Sequence, residues 1–407
     1  MRALVFQPTI PRYVVTRTLG AVARAALYSP ISPLRLREVP EPALPGPDWV
    51  RVRTRLGGIC GTDLHVIRLE SSPLLSAFSS FPFVLGHENV GTVEAVGPAV
   101  GDLTPGQRVV AEPLLPCATR GLAPCTYCAS GDYHLCERTT DGRIAPGLLI
   151  GGCRDTGGSW GEVFVAHRSQ VFPIPDSVSD ENALLIEPMA SALHPLLRHP
   201  PPEGGTALVI GGGIIGQLLV AALRAVQIRV RIIVLTKYAF QAEMARRLGA
   251  DHTVLLGRQD EHYEALSDLL RARLCRPMFG KRVLVGGADW TAECVGTARA
   301  VDDALRLTRP GGTVVPLGLP AVPRGVDWTP LWLKELRLVG SYAYAREAPT
   351  GQRTMETVLD WMTTGRVDVG FLVTHTFPLE EFPTALATAM GKARTGAFKV
   401  AFRFSEP

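Results

Sequence analysis

Four cysteines, Cys117, Cys125, Cys128 and Cys136, fall within twenty residues of one loop. Four thiolates are the set that a closed, tetrahedral structural zinc takes, and the loop has few apolar neighbours in which free thiols would otherwise be buried. Arg120 is the only Lys or Arg from Cys117 to Cys136, so the loop lacks the charge by which a zinc ribbon holds nucleic acid. A second set is scattered: Cys60 in Gly58-Ile59-Cys60-Gly61-Thr62-Asp63-Leu64-His65, then Gly86-His87-Glu88, then Leu185-Ile186-Glu187-Pro188. A soft thiolate, an imidazole and one or two carboxylates suit a catalytic zinc that keeps a position open for water or a substrate oxygen. Each residue alone has an ordinary structural explanation. Together, beside a nucleotide-binding fold, they point to one centre on which distant segments converge.

The nucleotide signal is Ala207–Ile210 running into Gly211-Gly212-Gly213-Ile214-Ile215-Gly216, a buried strand that meets G-x-G-x-x-G and an apolar helix. The glycines turn the chain, let backbone approach a pyrophosphate and let the helix pack on its strand, with the N–H groups of Gly213, Ile214 and Ile215 near the anion. The next strand ends at Val234-Leu235-Thr236-Lys237-Tyr238, where a carboxylate for a ribose diol is missing. A hydroxyl at Thr236 followed by Lys237 can receive a 2′-phosphate, which favours NADP over NAD.

The elements that must position these residues follow from periodicity. Up to about Ser179 the chain reads as short strands, among them Val50–Arg55, Asn89–Val96, Arg108–Glu112 and Glu162–Ala166. From about Asp180 strands and helices alternate: Ala207–Ile210 with helix Ile214–Val226, Arg229–Leu235 with Phe240–Leu248, and Thr253–Leu256 with a helix near Tyr263–Leu274. Strands at Trp290–Cys294, Thr313–Leu317 and Arg337–Val339 and a helix near Thr297–Leu307 complete a doubly wound parallel α/β sheet. One helix, Gly351–Thr364, and strand-like pieces at Phe371–Phe377 and Phe398–Phe404 return to the β-rich part. The expected domains are therefore 1–179, with a zinc lobe at 117–136, then 180–344, then 345–407. Thr9–Leu27, behind a first strand at Met1–Phe6, reads as a helical surface insertion.

The chain of 407 residues is too long for one core, and 46% apolar with 20% charged residues describes a globular protein. Its net charge of +4, from 42 basic and 38 acidic residues, is interspersed and argues against nucleic acid. Arg2, Arg12, Arg17 and Arg24 interrupt any apolar leader, and eight cysteines in so long a chain are no disulfide scaffold, so a cytoplasmic location is expected. The longest uncharged stretch, Gly204–Leu223, holds three consecutive glycines and Gln217, which fits a strand, turn and helix and not a membrane span.

The combination of G-I-C-G-T-D-x-H, G-H-E, the cysteine lobe, the Gly158–Glu162 run, I-E-P, the nucleotide fingerprint and Arg309–Gly318 resembles the zinc-dependent medium-chain alcohol/polyol dehydrogenases. It is most similar to the sorbitol- and threonine-dehydrogenase branch, because Glu187 stands where liver-type alcohol dehydrogenases carry a cysteine. The resemblance covers nearly the whole chain. It implies a GroES-like β-rich catalytic domain with a Rossmann nucleotide-binding domain, and two zinc ions per chain with NAD(P). Cys60, His87 and Glu88 would be inner ligands, with Glu187 bound directly or through water. Asp63 would orient the zinc histidine, Thr62 would touch the substrate hydroxyl and start a proton relay, and His65 would pass the proton to solvent. The implied activity is reversible oxidation of a primary or secondary alcohol or polyol by hydride transfer, in a homodimer or homotetramer. Val314–Leu319 is a candidate edge strand for that pairing.

The expected partner is a small alcohol or carbonyl compound, with neither nucleic acid nor a membrane. Three features depart from the pattern: seven residues separate Cys117 from Cys125 where two are usual, Thr9–Leu27 is extra, and the ribose acid is missing. Two rival readings are a zinc-free quinone or enoyl reductase of the same fold, whose relatives lack this ligand set, and a nucleotide-binding protein without turnover.

Overall fold

Strand β1 (Arg2–Phe6), helix α1 (Ile10–Val22) and β2 (Leu34–Glu38) precede the long strand β3 (Trp49–Gly58). Helix α2 (Gly61–Ile67), β4 (Phe83–Val84), β5 (Asn89–Val96) and β6 (Arg108–Ala111) follow. Beyond the cysteine-rich loop with its short helix α3 (Thr126–Ser130) come β7 (Val163–His167) and β8 (Val171–Pro173). The computed structural model describes residues 1–348 and 350–405. β1 pairs antiparallel with β2 and β4, while β3 is the hub of a larger sheet, antiparallel to both β5 and β7. Along β3, Val50, Val52 and Leu56 are buried and Arg51, Arg53 and Arg55 lie partly in solvent, the period-two alternation of a half-buried strand.

Helices α4 (Asp180–Leu184) and α5 (Ile186–Arg198) lead out of this unit, and the boundary falls inside α5, between Glu187 and Pro188. The second unit contains β9 (Thr206–Ile210), α6 (Ile214–Ala225), β10 (Arg231–Thr236), α7 (Ala239–Arg247), β11 (His252–Leu255) and α8 (His262–Leu269). A hairpin of β12 (Arg273–Cys275) and β13 (Val283–Val285) is followed by β14 (Ala288–Glu293), α9 (Ala298–Leu307), β15 (Thr308–Pro316), α10 (Thr329–Leu333) and β16 (Arg337–Leu338). Its six-stranded sheet is parallel throughout, in the order β11-β10-β9-β14-β15-β16. The order reverses beside β9, which puts the glycine turn after β9 at the topological switch point. The chain then returns to the first unit as α11 (Thr354–Thr363), β17 (Val373–Phe377), α12 (Phe382–Met390), α13 (Lys392–Thr395) and β18 (Lys399–Arg403). β18 lies parallel to β17 and antiparallel to β3, so the C-terminal strand is built into the first unit's main sheet.

Five expectations are revised. Residues 180–187 belong with the first unit: Asp180 bridges Arg55 and Arg108, and Asn182 reaches Asp368. Residues 345–354 belong with the second, where Glu347 accepts from His194, Arg198 and Thr354. The helix expected near Tyr263–Leu274 stops at Leu269, because Arg271 takes a left-handed backbone (φ 51°) and the chain continues as β12. The tail has further helices, α12 and α13, besides α11; Pro383 in the first turn of α12 suits the start of a helix. Val314 is not on an open edge, since β16 pairs with Thr313 and Val314.

Candidate active site

The apex of the first unit's site is α2, which begins where β3 ends. Cys60 is its N-cap, and the side chain of Asp63 accepts the Cys60 backbone N–H at 2.9 Å. This reciprocal cap holds the Cys60 side chain at a fixed place on the helix end. The other Asp63 oxygen lies 3.4 Å from His87 Nδ1, and His87 Nε2 lies 3.5 Å from Thr62 Oγ1. A carboxylate behind one ring nitrogen sets the tautomer and presents the other nitrogen forward. Burial disfavours the imidazolium, yet Asp63 and Cys60 raise the pKa of His87 well above its ordinary value.

Donor atoms of Cys60, His87 and Glu88 lie within 4.8 Å of one another. A thiolate, an imidazole and a carboxylate gathered at that spacing fit a zinc ion. Glu187, buried in the first turn of α5, is outside this set, though its charge reaches Lys399. His65 sits in the last turn of α2, partly buried, where burial holds its pKa below the usual value.

One participant was not legible in the sequence. Lys399, at the start of β18, donates Nζ to Oε1 and Oε2 of Glu88 at 2.5 and 2.6 Å, and both side chains are buried. Burial opposes the ammonium, but Glu88 and Cys60 raise the Lys399 pKa. Lys392 stands behind it, its pKa lowered by burial and by Lys399. The pair spans 311 positions and carries no motif. Only the antiparallel register of β18 on β3 brings it together.

The sulfurs of Cys117, Cys125, Cys128 and Cys136 also lie within 4.8 Å of one another, so Cys117 joins the lobe despite its longer spacing. The extra residues are taken up by a 3-10 turn, Cys117–Arg120, closed by Gly121 at φ 66°. Arg120 is buried and donates to the carbonyls of Leu115, Asp141, Ile144, Ala145 and Gly147. It is thus an internal strut of the loop. Burial raises the thiols of Cys128 and Cys136, the latter to about 11. In Cys125, burial is outweighed by backbone donors of Cys128 and Glu137, which lower it to about 6. Four sulfurs at this spacing are the donor set that a divalent cation takes.

In the second unit Gly211 turns at φ 111°, Gly213 caps α6, and Ile214, Ile215 and Gly216 form its first turn. A Cβ on Gly216 would lie 1.9 Å from the Gly211 carbonyl oxygen, so no larger residue fits there. The first-turn N–H groups have no partner within the helix, the arrangement that receives a pyrophosphate. Two glutamines missed in the sequence hold this loop. Gln217 donates to the carbonyls of Gly212 and Gln241, and Thr236 donates its hydroxyl to Gln241. Thr236 is buried in that network, whereas Lys237 is exposed, with Nζ 5.5 Å from the centre of the Tyr238 ring.

These two sites stand on units that match known families. Residues 46–176 match the alcohol dehydrogenase GroES-like domain, and residues 215–364 match the zinc-binding dehydrogenase family. L-Threonine 3-dehydrogenase of Mesorhizobium japonicum is 31% identical over 350 residues, 85% of this chain and 89% of that protein. L-Idonate 5-dehydrogenase of Vitis vinifera is 29% identical over 383 residues, 94% and 95% of the two chains. A solved structure from Sinorhizobium meliloti 1021, described as a zinc-binding dehydrogenase bound to NADP, has a TM-score of 0.69 at 29% identity, covering 91% and 96%. The chain belongs to the zinc-dependent medium-chain alcohol dehydrogenase family. It is an oxidoreductase that links alcohol oxidation to a nicotinamide cofactor.

Proposed function

We propose that Cys60, His87 and Glu88 hold a catalytic zinc, with Glu187 as a further carboxylate, that Cys117, Cys125, Cys128 and Cys136 hold a second, structural one, and that NADP is the preferred cofactor. The observation that carries the catalytic assignment is the meeting of Cys60, His87 and Glu88, backed by Asp63 and faced by Thr62. Bound there, zinc supplies the Lewis acidity that lowers the proton affinity of a substrate hydroxyl, and the nicotinamide supplies the hydride acceptor. Asp63 keeps His87 in one tautomer and so keeps Nε2 a lone-pair donor. Thr62 Oγ1 accepts the substrate's proton and hands on its own, and His65, on the same helix, carries it toward solvent. Lys399 offsets the charge of Glu88 and fixes the direction of its carboxylate. In the reverse direction the same hydroxyl returns a proton to the carbonyl oxygen.

Lys237, without a carboxylate beside it, supports recognition of a 2′-phosphate. The match to a relative described with NADP bound agrees with this. The substrate is an alcohol or polyol. Exposed Trp328, Trp332, Leu333 and Leu338 near the outer strand of the parallel sheet support a homodimer or homotetramer. The thiolate sets need reducing conditions, in keeping with the expected cytoplasmic location.

Cys60→Ser is expected to lose turnover and about one zinc equivalent while nucleotide titration is unchanged; turnover retained by metal-free protein would remove zinc from the chemistry. Lys237→Ala is expected to raise the Michaelis constant for NADP at least about tenfold more than that for NAD, as loss of a charge-assisted contact requires. Equal effects on both would take the lysine out of cofactor choice.

A further inference from the structure

Helix α1, in the extra N-terminal segment, wears its apolar side outward. At 100° per residue, Ile10, Val14, Val15, Leu19 and Val22 share one half of the cylinder, and Tyr13, Thr16 and Gly20 share the other. The second half is the packed one: Thr16 is buried with its hydroxyl on the Ile31 carbonyl, and Tyr13 packs on the first unit's core. The five aliphatic side chains of the first half are 44% to 90% exposed. A helix serving only as surface cover places its polar residues outward.

The surroundings are cationic, and of their arginines Arg2 is paired with Glu162 and Glu380. The first acidic residue of the chain is Glu38, and before it stand Arg2, Arg12, Arg17, Arg24, Arg35 and Arg37. Arg12 and Arg17 flank the apolar half of α1 on the helical wheel. Arg17 donates to the Tyr13 hydroxyl and to the Leu69 carbonyl. Four residues beyond Leu69 begins a 3-10 segment, Pro73–Phe78, in which Leu74 and Leu75 are also exposed. On β2, burial and then the positive charges of Arg12 and Arg37 depress the pKa of Arg35, so these three guanidinium groups form one positive patch. Among the described residues, no carboxylate is paired with Arg12, Arg17, Arg24, Arg35 or Arg37.

We propose that α1 and its arginine rim form a docking surface for an anionic phospholipid bilayer, with the aliphatic half in the acyl boundary and the guanidinium groups among the phosphates. At 13 residues the helix is about 20 Å long, and no helix among the described residues is long and apolar enough to cross a membrane, so α1 lies in the surface plane. A second copy of this chain fits the face less well. Two-fold packing of α1 on itself would set Arg12 and Arg17 against the same arginines, with no acid in the segment to offset them. An anionic surface satisfies both the apolar half and the rim. This inference departs from the expectation that the chain has no membrane partner, and it does not depend on the zinc or nucleotide assignments.

The test uses the full-length, zinc-loaded protein and sedimentation with vesicles of phosphatidylglycerol and phosphatidylcholine, against vesicles of phosphatidylcholine alone. Partition into the anionic vesicles is expected to be at least about tenfold stronger and to weaken steeply as salt is raised toward 0.5 M. Val14→Asp with Val22→Asp, and separately Arg12→Gln with Arg17→Gln, are each expected to lower it at least about tenfold. Turnover stays unchanged in both double variants, since all four side chains lie outside the sites. Equal partition into neutral and anionic vesicles, or none into either, overturns the proposal. A change in oligomeric state caused by the Val14→Asp, Val22→Asp pair overturns it too, by placing a second copy on this face. The arginine pair leaves the aliphatic half intact, so a folding defect in the aspartate variant does not leave the question open.

Discussion

Replacing Lys399 by methionine removes one charge from a pair whose side chains are 1% and 0% exposed. In the metal-free protein Glu88 would then keep a buried charge after losing the donor shared by both its oxygens, and the Ile59 carbonyl would lose its 3.4 Å contact with the same Nζ. Removing one partner of a buried pair costs about 3–5 kcal/mol, far above the fraction of a kcal/mol usual for exposed pairs. Methionine nearly matches the length of lysine, so the packing loss stays below about 1.5 kcal/mol and electrostatics dominates. The double variant Glu88→Gln, Lys399→Met leaves no uncompensated charge. It is expected to recover all but about 1–2 kcal/mol, so it stands about 1–4 kcal/mol above Lys399→Met alone. Native-state hydrogen exchange reads this locally: β18 pairs Ala401 with Gly58 and Phe402 with Gly57, so amides of β18 and β3 report the loss while β9, in the other unit, is the reference. A loss under about 1 kcal/mol in Lys399→Met, or equal losses in the single and double variants, would refute the view that charge pairing holds the C-terminal strand at the site.

Glu347 accepts from His194, Arg198 and Thr354; burial opposes its charge, but these partners bring its pKa down to about 2 from the usual 4.5. Because the folded value is the lower one, the stabilisation is complete above about pH 4.5 and is lost as pH falls toward 2. It amounts to about 3 kcal/mol. Glu347→Gln is therefore expected to lower the stability of the second unit at pH 7 and to flatten its dependence between pH 5 and about 2, read by denaturant titration at several pH values; an unchanged slope would discount the network. Gly216→Ala drives a Cβ to 1.9 Å from the Gly211 carbonyl, and a backbone shift there is expected to weaken nucleotide binding at least about tenfold and to cost roughly 1–3 kcal/mol, checked by calorimetry and melting. Cys125→Ser is expected to remove one zinc equivalent and destabilise the 117–136 loop while Cys60 retains its own metal; full metal content by elemental analysis would deny the lobe its role.

Much of the architecture could be read directly because its signals are local. The inner parallel strands β9 and β10 are buried on both faces and so appear as apolar runs, and G-x-G-x-x-G lies in one turn after β9. The sulfurs of the lobe are gathered by a single loop, so spacing alone found them, and the longer gap after Cys117 was absorbed by one 3-10 turn. Asp63 was implied by the resemblance of the G-I-C-G-T-D-x-H run, and it sits three residues from Cys60 on the same helix end.

What escaped the sequence is what depends on long-range register or on which face of an element points out. Gln217 and Gln241 hold the nucleotide loop across two helices, and the hydroxyl of Thr236 turns inward to them, although its position beside Lys237 looked suited to a phosphate. Composition could not show that α1 turns its aliphatic half to solvent, since a buried and an exposed amphipathic helix share one pattern until packing chooses the face. The sequence by itself determined the residue types of the site, the alternation that builds each sheet and the glycines that make the turn. The tertiary structure alone decided that Lys399 faces Glu88, because a side chain's partner 311 residues away is set by strand register, and one step of register would turn it to the opposite face.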